Sequence, residues 1–249
     1  MARRLGQHFL VRESILDRIA RAACNESCGT VVEIGPGRGA LTRHLLPLCE
    51  RLIALEIDPI LVQYLRAKFR AEPKAEILER DVLKADLASW GRVTVAGNLP
   101  YYITSPILDR VLALNGLLAR AVFLVQKEVA ERLTAQPGSR DYGYLTVRTQ
   151  LFADVEMLFP VPAAAFRPPP KVDSAVVRLT PRTDLPEGAP QFAAFAALCF
   201  HQKRKNLRNN LRAVYPAIDH QPEASKRAEQ LGIDGLIELW RRLKAESAP

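Results

Sequence analysis

The chain has 249 residues, of which 48% are hydrophobic and 25% are charged, a composition that is typical of globular proteins and excludes a disordered one. The formal net charge of +8 favours a polyanionic partner such as nucleic acid. No apolar run is long enough to span a membrane, and none follows the charged N-terminus as it would in a signal peptide. We therefore expect a cytoplasmic protein.

Helical and strand patterns alternate along the first 134 residues. Helices are predicted over 13–23, 40–49, 59–69, 106–114 and 128–134, and strands over 31–32, 52–57, 75–78, 93–96 and 121–125. Regular alternation of this kind predicts an open parallel sheet with helices on both faces.

The pattern changes in the later part of the chain. Strands predicted over 154–161 and 173–179 are joined by a proline-rich loop, and such a pair at the end of a sheet predicts an antiparallel edge. A linker rich in Pro, Asp and Gly follows, and beyond it only helical patterns occur. We predict a sheet domain over 1–182 and a small all-helical domain over 183–249.

Four cysteines are present, and their spacing matches neither a zinc ribbon nor a Cys-x-x-Cys redox pair. They are Cys24, Cys28, Cys49 and Cys199. We predict no metal site and free thiols, as in a reducing compartment.

A glycine-rich loop, Gly35-Pro36-Gly37-Arg38-Gly39, follows the first predicted strand. Open α/β sheets bind ligands beyond the carboxyl ends of their strands. Glycine lets the backbone adopt positive φ and approach a ligand closely. No Lys-Ser/Thr pair follows the loop, which excludes a P-loop for nucleoside triphosphates.

Acidic residues follow the next two strands. Glu56 lies at the end of the second strand, where a carboxylate can accept hydrogen bonds from both ribose hydroxyls of an adenosine cofactor. Asp81 follows the third strand and can accept a hydrogen bond from an adenine amino group, cap a helix over 82–87, or do both. These residues leave nicotinamide and adenosylmethionine cofactors both open.

The segment Asn98-Leu99-Pro100-Tyr101 follows the fourth strand. The exocyclic amine of adenine is a poor nucleophile because its lone pair is delocalised into the ring. Two acceptors, the Asn98 side-chain carbonyl and the Leu99 backbone carbonyl, can hold its N–H groups so that the lone pair faces an electrophile. Pro100 fixes the backbone, and Tyr101 offers a ring on which an extruded base can stack. Positioning then supplies most of the catalysis of methyl transfer to N6.

A basic segment lies between residues 201 and 212, and it contains no acidic residue. Either it is a solvated helix face, or it is a phosphate-binding helix on which Leu207 and Leu211 form a buried stripe. The predicted RNA-binding residues are Lys203, Arg204, Lys205, Arg208 and Arg212, and the surface is expected to extend to Arg3, Arg4, Arg12, Arg167 and Lys171.

Taken together, these motifs resemble those of the ribosomal RNA adenine N6-dimethyltransferases, and most of all the small-subunit enzymes of that family. The matching segments are Leu5–Leu10, Glu33–Thr42, Ala54–Asp58, Asp81–Leu83, Gly97–Thr104, Gln126–Leu133 and Phe166–Val177. They span nearly the whole chain.

The resemblance implies a Rossmann-like methyltransferase sheet, S-adenosylmethionine as cofactor, and dimethylation of adjacent adenosines in small-subunit rRNA. The small ribosomal subunit or its precursor is the implied partner of a monomeric enzyme that also acts in subunit biogenesis. The implied cofactor site consists of His8, Leu10, Gly35, Gly37, Glu56, Asp81 and Asn98. Many family members carry Asn at the position of His8. Catalytic roles fall on the segment from Asn98 to Tyr101, and Phe166 is implied to face the target base opposite Tyr101.

Other functions compatible with these motifs are a large-subunit rRNA methyltransferase of the macrolide-resistance type, a DNA adenine methyltransferase, an assembly or transcription factor that only binds, and a nicotinamide oxidoreductase. The Phe166 loop and the basic segment favour the small-subunit enzyme. The intact acceptors at Glu56, Asp81 and Asn98 disfavour a protein that only binds. The glycine spacing disfavours the oxidoreductase.

Overall fold

A computed structural model describes residues 8–24, 28–100 and 102–246 of the chain. The strands are β1 (Phe9–Leu10), β2 (Cys28–Ile34), β3 (Cys49–Glu56), β4 (Ala75–Glu79), β5 (Val93–Asn98), β6 (Leu118–Gln126), β7 (Ala153–Val161), β8 (Phe166–Arg167) and β9 (Ser174–Pro181). The helices are α1 (Glu13–Ala23), α2 (Thr42–Leu45), α3 (Pro59–Lys68), α4 (Thr104–Leu112), α5 (Lys127–Leu133), α6 (Tyr144–Phe152), α7 (Ala189–Cys199), α8 (Leu207–Leu211) and α9 (Gly232–Glu246).

One sheet of seven strands has the order β4-β3-β2-β5-β6-β9-β7. The five neighbouring strands β4, β3, β2, β5 and β6 pair in parallel. In contrast, β9 runs antiparallel to β6, with Leu179 opposite Ala121. The short strands β1 and β8 form a separate antiparallel pair. The predicted open parallel sheet with an antiparallel edge is therefore confirmed.

The central strands are continuous apolar runs because both of their faces are covered. Val31 and Val32 of β2 are fully buried, as is every residue of β6 from 121 to 125. Helix α1 turns one face toward this core, and the apolar side chains of that face recur at helical spacing. They are Ile15, Leu16, Ile19, Ala20 and Ala23.

Two predicted helices are shorter than expected. The helix predicted over 40–49 is helical only as α2 and a single 3-10 turn over Leu46–Leu48. Pro47 interrupts it because proline has no backbone N–H to donate, and Cys49 already begins β3. The helix predicted after Asp81 is absent over 82–86, where the chain forms turns, and a 3-10 helix follows at Leu87–Trp90.

The basic segment is also mostly non-helical, which corrects the prediction of one helix there. Residues 201–205 form turns, and α8 covers only Leu207–Leu211. Asn206 caps α8 because its side chain accepts a hydrogen bond from the Asn209 backbone at 3.0 Å. The side chain of Asn210 in turn accepts one from the backbone of Gln202 at 3.1 Å, which holds the turns in place.

The contacts of the chain group it into two compact units. The first contains the residues up to 130 together with 155–181, and the second contains 131–154 together with the residues from 182 onward. The sequence predicted a single boundary near residue 183. Residues 131–154 join the second unit because Tyr142 and Val147 are buried in the same apolar cluster as Phe192 of α7 and Trp240 of α9.

All four cysteines are free thiols. Burial raises the pKa of Cys49 to about 11, and it raises the pKa of Cys199 as well. These two thiols are therefore protonated at neutral pH. No helix within residues 8–24, 28–100 and 102–246 has both the length and the apolar character of a membrane span.

Candidate active site

The first unit contains a cavity of about 480 Å³ at the carboxyl ends of β2, β3 and β5, a size that suits a small-molecule ligand. We call it the cleft. Its lining includes a residue from every predicted cofactor motif, namely His8, Leu10, Gly35, Gly37, Glu56, Asp81, Asn98, Leu99 and Pro100. Tyr101, predicted to stack on the substrate base, lies outside the described residues. The predicted cofactor residues are thus brought together with Asn98, Leu99 and Pro100, whereas Phe166 is absent from the lining.

All three glycines of the loop, Gly35, Gly37 and Gly39, lie in the left-handed region of the backbone. Gly35 has φ 65° and Gly37 has φ 59°, angles that other L-residues adopt only with strain. A Cβ atom on Gly37 would also lie 3.0 Å from the ring of Phe9. Both the turn and the close approach of Phe9 therefore require glycine at this position.

The Glu56 carboxylate joins this loop to the end of β3. Its Oε2 accepts a hydrogen bond from the Gly37 backbone at 3.1 Å, and its Oε1 accepts from Ile57 and Asp58 at 2.9 and 3.1 Å. The residue is only 4% exposed, so it is not a solvated loop carboxylate. Because ionised carboxylate oxygens each have two acceptor sites, this group retains the capacity to accept hydrogen bonds from a ligand.

Asp81 caps the backbone that follows it, whereas its contact with an adenine amino group stays a prediction. Its Oδ1 accepts a hydrogen bond from the backbone of Leu83 at 2.9 Å, which caps a turn and not the α-helix that was expected. The residue also lines the cleft. A carboxylate with one oxygen in a cap still offers acceptor sites to a ligand.

Asn98 is positioned by the close packing of β5 against β2. A Cβ on the preceding Gly97 would lie 2.5 Å from the backbone oxygen of Ile34, so only glycine allows the strands to approach in this way. The Asn98 Nδ2 donates to the backbone oxygen of His8 at 3.1 Å. The next residue, Leu99, donates its N–H to the Leu124 carbonyl at 3.0 Å. The two predicted amine acceptors therefore belong to residues that are each held by a hydrogen bond, Asn98 to His8 and Leu99 to Leu124 of β6.

Phe166 lies in a different environment from the other predicted catalytic residues that the structure describes. Its side chain is fully buried in the apolar core and is absent from the cleft lining. The pairing of β1 with β8 sets Leu10 opposite Phe166 and Phe9 opposite Arg167. Leu10 belongs both to the apolar core and to the cleft lining, and Arg167 lines the cleft, whereas Phe166 belongs to the core alone. A contact between Phe166 and a substrate base stays a prediction.

Several cleft residues were missed by the sequence prediction. Tyr102 lines the cleft and is 67% exposed, so this second aromatic of the Tyr101-Tyr102 pair is accessible to a base. Phe9 packs against the glycine loop, with the Arg38 guanidinium 4.9 Å from its ring centroid. The only sequence signal for Phe9 was its place beside Leu10 in a matching segment.

Glu33 is a further cleft residue without a predicted role. It is 1% exposed, and its Oε2 has no hydrogen-bond partner among the described residues. Burial is the main cause that raises the pKa of Glu33 to about 7, with repulsion by the Glu56 carboxylate acting in the same direction and hydrogen bonding by Thr42 acting against it. Near neutral pH this carboxyl group is therefore partly protonated.

The basic segment lies in the second unit. Leu207 and Leu211 are fully buried, and the predicted RNA-binding residues are all exposed. Lys203 donates to the backbone oxygen of Arg140 at 2.6 Å. Asp219 pairs with Arg208 at 3.1 Å and with Arg212 at 2.9 Å, so an acidic residue from later in the chain offsets part of this charge. RNA binding by the segment stays a prediction.

Comparisons with known proteins agree with this geometry. The family model described as ribosomal RNA adenine dimethylase matches residues 1–240. Ribosomal RNA small subunit methyltransferase A of Acidobacterium capsulatum is 46% identical over 98% of this chain and 92% of its own length. The protein of the same name from Chlorobaculum parvum is 42% identical over 97% of this chain and 89% of its own length.

Solved structures are similar over nearly the same length. A dimethyladenosine transferase from Plasmodium falciparum superposes with a TM-score of 0.82 at 28% identity, covering 96% of this chain and 98% of the other. The 23S rRNA methyltransferase ErmE superposes with a TM-score of 0.72 at 31% identity, covering 95% of this chain and 99% of the other.

Proposed function

The chain belongs to the ribosomal RNA adenine dimethylase family, and on this premise we propose that it methylates the N6 amine of two adjacent adenosines near the 3′ end of small-subunit rRNA. The product is N6,N6-dimethyladenosine, and the methyl donor is S-adenosylmethionine. The choice of the small-subunit target rests on the names of the relatives that are 46% and 42% identical. The observation that carries the chemistry is the anchored amide of Asn98 in the same cleft as Glu56.

The residues of the cleft fit S-adenosylmethionine. The buried Glu56 carboxylate retains one acceptor site, which suits a ribose hydroxyl, and the Asp81 carboxylate suits the adenine amino group. Gly35 and Gly37, both in the left-handed region, bring the backbone of the glycine loop into the lining of the cleft. When bound, the cofactor supplies an electrophilic sulfonium methyl group.

Asn98 and Leu99 hold the substrate amine. The Nδ2 of Asn98 is engaged by the His8 backbone oxygen, which leaves the carbonyl oxygen of the same amide as an acceptor for one adenine N–H. The Leu99 carbonyl accepts the second N–H. With both hydrogens held, the amine turns its lone pair toward the methyl donor, and this orientation replaces a strong general base.

The segment that follows keeps these acceptors in place. The Pro100 oxygen accepts hydrogen bonds from the Ile103 backbone at 3.1 Å and from the Thr104 hydroxyl at 3.2 Å. Tyr102, exposed at the cleft, offers a stacking surface for the extruded adenine. Acceptors held in advance lose little freedom when the base arrives, which favours the transition state.

The test is transfer of labelled methyl groups from S-adenosylmethionine to unmodified small ribosomal subunits, followed by nucleoside analysis. Large subunits and an Asn98→Ala variant are the controls. We expect dimethyladenosine in small subunits only, with the wild-type protein only. Transfer to large subunits alone would assign the specificity suggested by the likeness to ErmE. Binding to small subunits without any methyl transfer would contradict the proposed catalysis and favour an assembly factor that only binds.

The small ribosomal subunit or its precursor is the proposed partner, and a second role in subunit biogenesis goes with it. The exposed basic residues of the second unit support an RNA-rich partner. We further propose that the protein acts in the cytoplasm, since its four free cysteines suit a reducing compartment. We also propose that it acts as a monomer. Sedimentation with and without small subunits measures both the monomeric state and the complex.

A further inference from the structure

We propose that His8 is a positioning residue for Asn98. Its imidazole anchors the backbone carbonyl that selects the orientation of the Asn98 amide, and it thereby sets which amide atom meets the substrate amine. This inference rests on the proposed function for its catalytic consequence, whereas the geometry of the contact can be tested separately.

The first step is the anchor of His8. Its ring Nδ1 lies 2.8 Å from the backbone oxygen of Pro168, a distance at which Nδ1–H donates to the carbonyl. The backbone beside it is held as well, since Val11 donates to the Ala165 oxygen at 3.0 Å and β1 pairs with β8. The His8 side chain thus adds one more hydrogen bond at the end of a short series of contacts between the N-terminal segment and the proline-rich loop.

The second step is the contact with Asn98. The His8 backbone oxygen receives the Asn98 Nδ2 at 3.1 Å. A backbone carbonyl can only accept hydrogen bonds, so it favours the amide orientation in which the NH₂ group faces His8. The opposite orientation would set two oxygens against each other at the same distance.

The third step is the consequence for the substrate. The N6 amine of adenine brings N–H donors, so it needs the amide oxygen of Asn98 and is repelled by the amide NH₂ group. If the Asn98 amide populated both orientations equally, it would present its NH₂ group to the substrate amine half of the time. Movement of the His8 carbonyl also moves the acceptor, and an error of about 1 Å can lower a rate by about 100-fold.

The role of the side chain can be separated from that of the backbone. Every residue at position 8 has a backbone carbonyl, but only some have a donor for Pro168. In asparagine the Nδ2 is bonded to Cγ, as Nδ1 is in histidine, so His8→Asn places a donor at nearly the same point. His8→Phe keeps a ring of similar shape and removes the donor, and His8→Ala removes both.

The experiment compares these three variants with the wild-type protein. We expect His8→Phe and His8→Ala to lower kcat at saturating substrates by about 10-fold to 100-fold, with a smaller rise in the Kd for S-adenosylmethionine and a melting temperature close to the wild-type value. His8→Asn restores most of kcat. Equal kcat in His8→Phe and the wild-type protein would overturn the proposal, as would an inactive His8→Asn of normal stability.

A second readout does not depend on activity. The side-chain amide resonances of Asn98, assigned by their loss in Asn98→Asp, report whether its NH₂ group is hydrogen-bonded. We expect slowed hydrogen exchange of these protons in the wild-type protein and His8→Asn, and faster exchange in His8→Phe. Identical exchange in all of them refutes the anchoring role even if no RNA substrate is methylated. Normal differences in exchange with no methyl transfer by the wild-type protein would refute the proposed function instead.

Discussion

The Glu56 carboxylate accepts a hydrogen bond from the Gly37 backbone at 3.1 Å. Two further backbone N–H groups, of Ile57 and Asp58, donate to its other oxygen. One buried side chain therefore fixes the shape of the glycine loop and also presents a carboxylate to the cleft. Folding and cofactor binding are coupled at this residue.

We expect Glu56→Gln to lower both the stability of the fold and the affinity for the cofactor. The glutamine NH₂ group would face backbone donors, and a buried donor left without a partner costs about 1–3 kcal/mol. Urea unfolding should show a loss of that order, and calorimetry should show a Kd for S-adenosylmethionine raised by about 10-fold or more.

The matched control is Glu79→Gln. Glu79 is the register partner of Glu56 on β4, but it is exposed and lies outside the cleft lining. The Glu79→Gln variant should bind S-adenosylmethionine with the same Kd as the wild-type protein. Equal effects of the two substitutions would contradict the role assigned to Glu56.

Asn98→Ala should nearly abolish methyl transfer and leave the fold intact. The substitution removes the amide oxygen that accepts the substrate N–H, and removing one comparable acceptor or donor at a reacting centre costs about 100-fold to 1000-fold in kcat. Among the described residues, the substitution removes one side-chain hydrogen bond, to the His8 oxygen. Methyl transfer at saturating substrates and the melting temperature measure the two effects. Near wild-type turnover would remove Asn98 from the mechanism.

Most of the sheet and the cofactor motifs were predictable because their signals are local. A buried parallel strand is a continuous apolar run, as in β6, and a cleft in such a sheet lies at the carboxyl ends of its strands. Glu56 and Asn98 could therefore be placed from their positions after two apolar runs.

The features that the sequence did not predict depend on contacts between distant segments. The pairing of Phe166 with Leu10 joins two segments that are far apart in the chain, and no local pattern indicates such a register. The burial of the Glu33 carboxyl group, whose Oε2 has no hydrogen-bond partner among the described residues, likewise depends on packing around β2. No pattern in the basic segment indicates the ion pairs with Asp219, which follows it in the chain.

Glu33 should make the stability of the protein depend on pH. Burial raises the pKa of Glu33 from 4.5 to about 7, so between these values the folded protein binds more protons than the unfolded chain. The free energy of unfolding contributed by this group therefore falls as pH rises through that window, by at most about 1.4 kcal/mol per pH unit. It is level below pH 4.5 and above pH 7.

Glu33→Gln isolates this contribution, since glutamine does not titrate. In urea unfolding from pH 4 to 8, the free energy of unfolding of the variant minus that of the wild-type protein should rise as the pH increases from 4.5 to 7. Titrations of the other groups cancel in this difference. A difference that is constant across this range would show that Glu33 keeps an ordinary pKa.

The basic segment should contribute unequally to RNA binding, because only part of its charge is offset. Arg204 and Lys205 are exposed and lie in turns, whereas Arg208 and Arg212 share Asp219. Each phosphate contact to single-stranded RNA contributes about 0.7 to the slope of log affinity against log salt. Removing Arg204 and Lys205 together should therefore lower that slope by about 1.4.

The charge-matched comparison is the double variant Arg208→Ala with Arg212→Ala. Its slope should fall by less, because these two arginines and Asp219 together carry a single net positive charge. Asp219→Asn should act in the opposite direction and steepen the salt dependence, since it releases both guanidinium groups for phosphates. Filter binding of a small-subunit rRNA fragment from 50 to 300 mM salt measures all of these slopes. If both double variants lower the slope equally and Asp219→Asn leaves it unchanged, the ion pairs open freely on RNA and Asp219 exerts no control over this surface.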